Sequence, residues 1–440
     1  MGALSRTRAT VGTAAGDAFK EAYRTSPRHF TRERSLTCGS VVCALLASNR
    51  KSSRVEAARM REEGAMPVSR QAYLAARRKL DPKGIRQLCR GYAGRFYAEE
   101  EPRTFKGHLL VAVDGTSVNL PTTPATLARY GNASNGGVAP QAAARACIAV
   151  DVLNSIVMDC DIGPLSSGER SRVPGHVEAV REVAGRHPFI MTLDRGYPSI
   201  GLVDLLTGAG VPFVMRASSI FLKEEFASAE AAGGDAVVEV AVTKVRLAHA
   251  RRTDPGAYER LASRGAPLTA RFALVDIGTG TPERLVTNLP GEAFGTADLA
   301  ELYRLRWGVE TSIRFIKAKL QLENFTGTDP VLIEQDIHAA VWVLNAAFDL
   351  ANEAEREAAG AADVHGNPKR VNRSFAIGRY KEMFLRIVLS DGADLDRLSM
   401  RLVEELKGEL VAVRDGRRHR RRKGNYIRQN RYSNTYKPLF

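Results

Sequence analysis

The chain is 440 residues long and 44% hydrophobic, enough to bury the cores of two or three domains. No apolar run reaches the roughly eighteen residues of a membrane-spanning helix. Residues 1–24 also lack the apolar stretch of a secretory leader, so a cytoplasmic protein with no membrane partner is expected. Five scattered cysteines without a CxxC pair argue for reduced thiols over a zinc site or disulfides.

The net charge of +15 is segregated along the chain. Residues 1–106 carry 22 Lys and Arg against 10 Asp and Glu, residues 411–440 carry 10 against 1, and the centre is left at −6. Plain solubility would not require that separation. Basic ends around a mildly acidic centre suggest ends that hold a polyanion and a centre with a different task.

In chain order, residues 52–64 and 67–80 read as two helices around Gly64, the second capped by Ser69. The pair resembles a helix-turn-helix whose Arg70, Arg77 and Arg78 would reach phosphates. From residue 107 the pattern changes. HLLVAVDG is a short apolar run closed by a turn, a buried strand with Asp114 at its end. ACIAVDVLN and SIVMDCDIG follow as two strands. PGHVEAVREVAG (helix), PFIMTLDRG (strand, with Asp194 at its end), PSIGLVDLLTGAG (helix) and VPFVMRAS (strand) complete a mixed sheet flanked by helices. Residues 217–290 look like an inserted β-rich subdomain, and residues 296–320 like one long helix. Further helices lead to a basic patch at 368–379, which includes Arg373. The tail interleaves cations, among them Arg420, Arg421 and Arg422, with Tyr426, Tyr432 and Tyr436, as in an arm that follows phosphates and stacks on bases.

The most specific signal is LYRLRWGVETSIRFIKAKL, which holds Tyr303, Arg306, Glu310 and Lys317. On a straight helix these four fall within an arc of about 60°, beside the apolar stripe and away from solvent. An isolated Arg306–Glu310 pair would be an ordinary i, i+4 contact. The full pattern Y-x2-R-x3-E-x6-K resembles the signature of a large group of bacterial insertion-sequence transposases of the DDE superfamily. VAVDGTSV and IMTLDRGYPS are similar to that group's first and second motifs. The resemblance covers most of residues 107–325 and is loose outside them.

The resemblance implies an α/β fold: a ribonuclease-H-like core at 107–325 with the β insertion at 217–290. A helical, basic DNA-binding domain at 1–106, a helical region at 326–410 and a basic tail at 411–440 would complete the chain. Asp114, Asp194 and Glu310 are then the catalytic carboxylates. Tyr303, Arg306 and Lys317 contact phosphates near the element end. Cleaving a phosphodiester requires activating a nucleophile and stabilising a leaving 3′ oxygen. Two Mg²⁺ ions (or Mn²⁺) held by hard carboxylate oxygens can do both. The partners would be double-stranded DNA and further copies of the chain, in a dimer or a larger assembly.

Lesser features are Glu169 and His176, near the helix after the third strand, whose surface pairing is favoured over an approach to the metals. Trp307 is expected to pack. Phe221 and Phe226 are the aromatics of the insertion available to hold a flipped base. A catalytically silent DNA-binding descendant of a transposase, or another ribonuclease-H-like nuclease, are the competing readings.

Overall fold

The computed structural model describes residues 2–32, 36–48, 53–62, 69–134, 139–278, 280–362 and 366–413. Gly64 and Arg420, Arg421 and Arg422, singled out above, lie outside them.

Among the described residues, six helices open the chain: α1 (Ala3–Ala15), α2 (Asp17–Tyr23), α3 (Cys38–Leu46), α4 (Ser53–Glu62), α5 (Arg70–Arg77) and α6 (Pro82–Glu99). Ser69 caps α5 by accepting from the Ala72 amide, as its position suggests. The chain then enters β1 (Leu109–Asn119), helix α7 (Pro124–Tyr130), β2 (Ala143–Asp151), β3 (Ile156–Pro164), α8 (Val173–Ala184), β4 (Phe189–Leu193), α9 (Ile200–Gly208) and β5 (Phe213–Arg216). Strands β1, β2 and β3 pair antiparallel, and β4 and β5 extend the sheet parallel to β1, in the order β3-β2-β1-β4-β5.

Strand β1 is apolar on both faces because both are covered. Leu109, Val111 and Val113 join a core with α6, α8 and α9, while Ala112 faces the helices of the opposite side. The strand is longer than expected, so Asp114 lies within it. Its pairing with β4 nonetheless stops at Val113↔Leu193, and beyond that point β1 is held by β2 alone. Asp114 and Asp194 therefore stand side by side where two parallel strands part.

The insertion at 217–290 is a correction. It contains three helices, α10 (Lys223–Ala231), α11 (Lys244–Thr253) and α12 (Pro255–Ala262), and three strands, β6 (Asp235–Val240), β7 (Leu268–Val275) and β8 (Glu283–Thr287). The strands do not form a sheet of their own. They continue the main one as β5-β8-β7-β6, giving eight strands. Thr243 accepts from the Arg246 amide and starts α11 where the alternating pattern invited a strand.

The expected single helix at 296–320 is also broken. It consists of α13 (Thr296–Leu305), α14 (Gly308–Arg314) and a π-helical turn at Phe315–Lys319. Leu299, Leu302 and Tyr303 of α13 pack with Leu110, Ile190 and Val214, whereas Val309 and Ile316 join the core beside β1 and β2. The break lets the chain step between these two packings. Gly308 permits the step: a Cβ there would lie 2.9 Å from Val152 Cβ.

The chain closes with α15 (Pro330–Glu357), β9 (Lys369–Val371), α16 (Arg373–Leu389), α17 (Gly392–Lys407) and β10 (Leu410–Ala412), which pairs with β9. Helix α15 is buried on almost every side, and α1, α3, α6, α16 and α17 pack around it. The N-terminal and C-terminal helices thus share one core. Several of its buried polar groups are matched. Arg6 donates from Nε and Nη2 to both oxygens of Asp349, and Asn345 exchanges two hydrogen bonds with the backbone of Val157. Among the described residues, no helix is long and apolar enough to cross a membrane.

Candidate active site

Asp114 follows the last β1–β4 pair, and Asp194 follows β4 directly. By alternation Asp114 continues the face of Ala112, toward α14. Burial pushes its carboxyl up to about 6, and the charges of Glu169 and Asp194 add to that. The Gly115 amide and Arg306 oppose it. Asp194 is half-buried, yet it is held below its ordinary value. The Arg195 amide, Arg306, the Tyr303 hydroxyl and Arg216 together outweigh desolvation.

Tyr303, Arg306 and Lys317 reach these strands or their aspartates, and Glu310 is joined to them through Arg306. Tyr303 is fully buried, and its hydroxyl donates to Asp194 Oδ1 at 2.9 Å. Arg306 is nearly as buried, with its side chain 2% exposed; Nη2 donates to Glu310 Oε1 at 3.3 Å, and the guanidinium lies over the Tyr303 ring at 5.4 Å. Its Nε and Nη1 have no hydrogen-bond partner. Asp194, Asp114 and Glu310 all act on this cation and favour its charged form. Glu310 itself is 52% exposed on the first turn of α14. Lys317, placed by the π-helical turn, donates to Ser117 O at 2.6 Å and Thr116 Oγ1 at 3.2 Å on β1.

Tyr303 is thus a correction to the expected phosphate contact: its hydroxyl is turned inward to a carboxylate. Arg77 is a second. It is fully buried, held by Gln335, Thr326, Asp336 and the carbonyl of Leu332, because α5 packs this face inward. Arg373 is a third, at 14% side-chain exposure, donating to Phe348 O, Asn352 and Glu355. Arg70 is exposed, and Arg78 is half-exposed and paired with Asp329 at 2.8 Å. Trp307, expected to pack, is 44% exposed at the break between α13 and α14. Phe226 is buried edge-on against Phe272, whereas Phe221 lines a cavity of about 500 Å³ between α9, α10 and α11. His176 is no surface group: it is buried against Asp159, which also pairs with Arg86 and Arg90.

The sequence underweighted Glu169. Its carboxylate lies against Gly115, where a Cβ would meet Glu169 Cδ at 2.2 Å. Arg145 Nη1 donates to it at 3.1 Å and the Tyr197 hydroxyl at 3.2 Å. The glycine beside Asp114 and the tyrosine of Asp-Arg-Gly-Tyr were the signals available.

Residues 105–346 match the transposase DDE domain family. The chain belongs to that family. This DDE-transposase chain is 23% identical, over 286 residues, to the transposase InsG of insertion sequence element IS4 from Escherichia coli K12. The match covers 63% of this chain and 60% of that protein, so it spans about three-fifths of the relative's length. Among solved structures, the piggyBac transposase in its synaptic complex with hairpin DNA is similar, with a TM-score of 0.41 and 11% identity. That likeness covers 96% of this chain and 85% of that one.

The family is one of phosphoryl-transfer enzymes that typically use divalent metal. Among the described residues no three His, Cys, Asp or Glu side chains already stand as a metal cage. The residues nonetheless fit a hard divalent cation in chemistry. The donors are carboxylate oxygens, and a buried guanidinium with two unpartnered N–H groups stands where positive charge is required.

Proposed function

We propose that this chain is a DNA transposase that binds the terminal inverted repeats of its insertion sequence and performs strand cleavage and strand transfer. The observation that carries this reading is the joint anchoring of the signature on two strand ends: Tyr303 on Asp194, Lys317 on Ser117, and Arg306 beside Asp114, Asp194 and Glu310. Two residues of one segment, Tyr303 and Arg306, thus meet the aspartates of the other two motifs, which supports the reading.

The core is read as ribonuclease-H-like from the order β3-β2-β1-β4-β5 with β1, β4 and β5 parallel. Asp114, Asp194 and Glu310 would hold divalent metal, Mg²⁺ by preference. When bound, that metal activates water or a 3′-OH and stabilises the leaving 3′ oxygen. The chain's own residues do the rest. Tyr303 holds the Asp194 carboxylate in place and ionised. Arg306, buried, balances the charge of the carboxylates, and Lys317, one-third exposed, would meet the phosphate. Two copies or more would bring the two element ends together.

The test is a linear duplex carrying the inverted repeats that flank the coding sequence. Specific nicking at the repeat boundary by the purified chain with Mg²⁺, absent from D194N, is expected. Specific binding of the repeats with no cleavage under any divalent metal would favour the silent DNA-binding alternative.

A further inference from the structure

We infer that Glu169 is a fourth carboxylate of the metal-binding set, reaching Asp114 across the gap that Gly115 leaves open. The inference rests on the reading of Asp114, Asp194 and Glu310 given above and extends it.

Three relationships carry it. The first is the gap. The β1–β4 ladder ends at Val113↔Leu193, so beyond it nothing bridges the two strands, and groups from both faces of the sheet can meet there. Asp114 and Glu310 come from the α14 side. Gly115, one residue on, faces the other side by alternation, toward α8 and α9. The second is the cradle. Glu169 occupies the volume that any side chain at 115 would take, its Cδ 2.2 Å from where that Cβ would be, so the carboxylate rests directly on β1 beside Asp114. The charge of Glu169 also acts on Asp114 at least as strongly as that of Asp194.

The third is the tether. The Tyr197 amide donates to Asp194 O at 3.0 Å, closing the turn after β4, and the Tyr197 hydroxyl donates to Glu169 Oε2 at 3.2 Å. One turn therefore positions Asp194 and Glu169 together. Several carboxylates gathered around one point repel unless a cation is present. The buried Arg306 is such a cation, with Nε and Nη1 unpartnered, but it answers to Asp114, Asp194 and Glu310. On the other side, among the described residues, Glu169 forms its ion pair with Arg145, at 3.1 Å, with both side chains about a quarter exposed, 29% and 27%. A divalent cation would compete with Arg145 for that carboxylate. Divalent metal would draw Glu169 from Arg145 toward Asp114, adding oxygen ligands from the α8 side.

The experiment is a Mn²⁺ titration of the full-length chain without DNA, followed by calorimetry and by the electron paramagnetic resonance of free Mn²⁺. Wild type, D194N, E169Q and R145Q are compared, with the melting temperature of each metal-free protein. E169Q is expected to weaken Mn²⁺ binding at least tenfold at an unchanged metal-free melting temperature. R145Q, which frees Glu169 from its competitor, is expected to strengthen binding several-fold, an effect no merely structural role of Glu169 would give. If D194N binds more weakly while the E169Q and R145Q titrations overlay the wild type, the role of Glu169 is overturned and the three-carboxylate reading stands. If D194N also overlays the wild type, the site reading beneath it fails with it. Should E169Q not fold, R145Q decides alone: unchanged or weaker binding overturns the inference.

Discussion

The Tyr303 hydroxyl donates to Asp194 Oδ1 at 2.9 Å from a side chain with no exposed surface. This makes Tyr303 a positioning residue for a carboxylate, and Y303F separates that role from phosphate binding. A hydrogen bond to a charged group contributes about 1.5–3 kcal/mol, so cleavage of element ends should fall roughly ten- to a hundredfold. Affinity for the same ends in a gel-shift assay should change less than about twofold. Affinity lost in parallel with cleavage would return Tyr303 to the DNA.

Arg306 stands among the carboxylates proposed to hold metal, so it competes with metal for their charge. R306Q should therefore bind Mn²⁺ more tightly than wild type, several-fold by calorimetry, while the metal-free protein melts at lower temperature. Weaker Mn²⁺ binding in R306Q would show that the guanidinium organises the carboxylates and does not compete.

Two cations of α5 should behave oppositely. Arg77 is buried against Asp336 at 3.0 Å, and R77A removes the cation from that buried carboxylate. The expected cost is about 3–5 kcal/mol, read as a large drop in melting temperature. Arg70 is exposed. R70A should leave melting unchanged and, if α5 meets DNA, reduce the salt dependence of binding by about one phosphate contact. An R70A protein with wild-type salt dependence would remove α5 from the DNA surface.

Acid should destabilise the helical core through His338 on α15. Burial first, then Arg86 and Arg90, depress its pKa from 6.5 to about 3, with Asp159 opposing them. Because the folded value is depressed, the unfolded chain takes up a proton that the folded chain refuses between those two values. Stability should therefore fall as pH drops from 6.5 toward 3, by about 1.4 kcal/mol per unit. Asp159 is depressed as well, burial being outweighed by His176 and Arg86, and adds a further loss below about 4. Urea unfolding of wild type and H338L across this range checks the first effect: parallel slopes for the two proteins would discard it.

The strands β1 to β5, helices α8 and α9 and the cap at Ser69 were legible because local pattern decides them, whereas α7 was not read. Apolar runs of strand length, helical spacing and a serine before a helix act over a few residues. The signature was legible as a set of types and spacings, and Asp114 and Asp194 as aspartates following apolar strands. The three helices of 217–290 were not, since the alternation in VVEVAVTKVRLA runs past the capping threonine that ends it. The straight helix at 296–320 misled for a related reason. No residue in it forbids helix, and the break at Trp307–Gly308 exists only because α13 and α14 pack on different parts of one sheet.

By itself, then, the sequence determined which residue types stand at which spacing, the segregation of charge, and the short-range elements. Only the tertiary structure decided which cations face inward and which outward. It buried Arg77, turned Arg373 largely inward and left Arg70 in solvent, although all three read alike as cations for DNA. It also set Glu169 against Gly115, 54 residues away in the chain. Burial and proximity across a sheet depend on how whole faces pack, and no local pattern encodes a partner that arrives from another element.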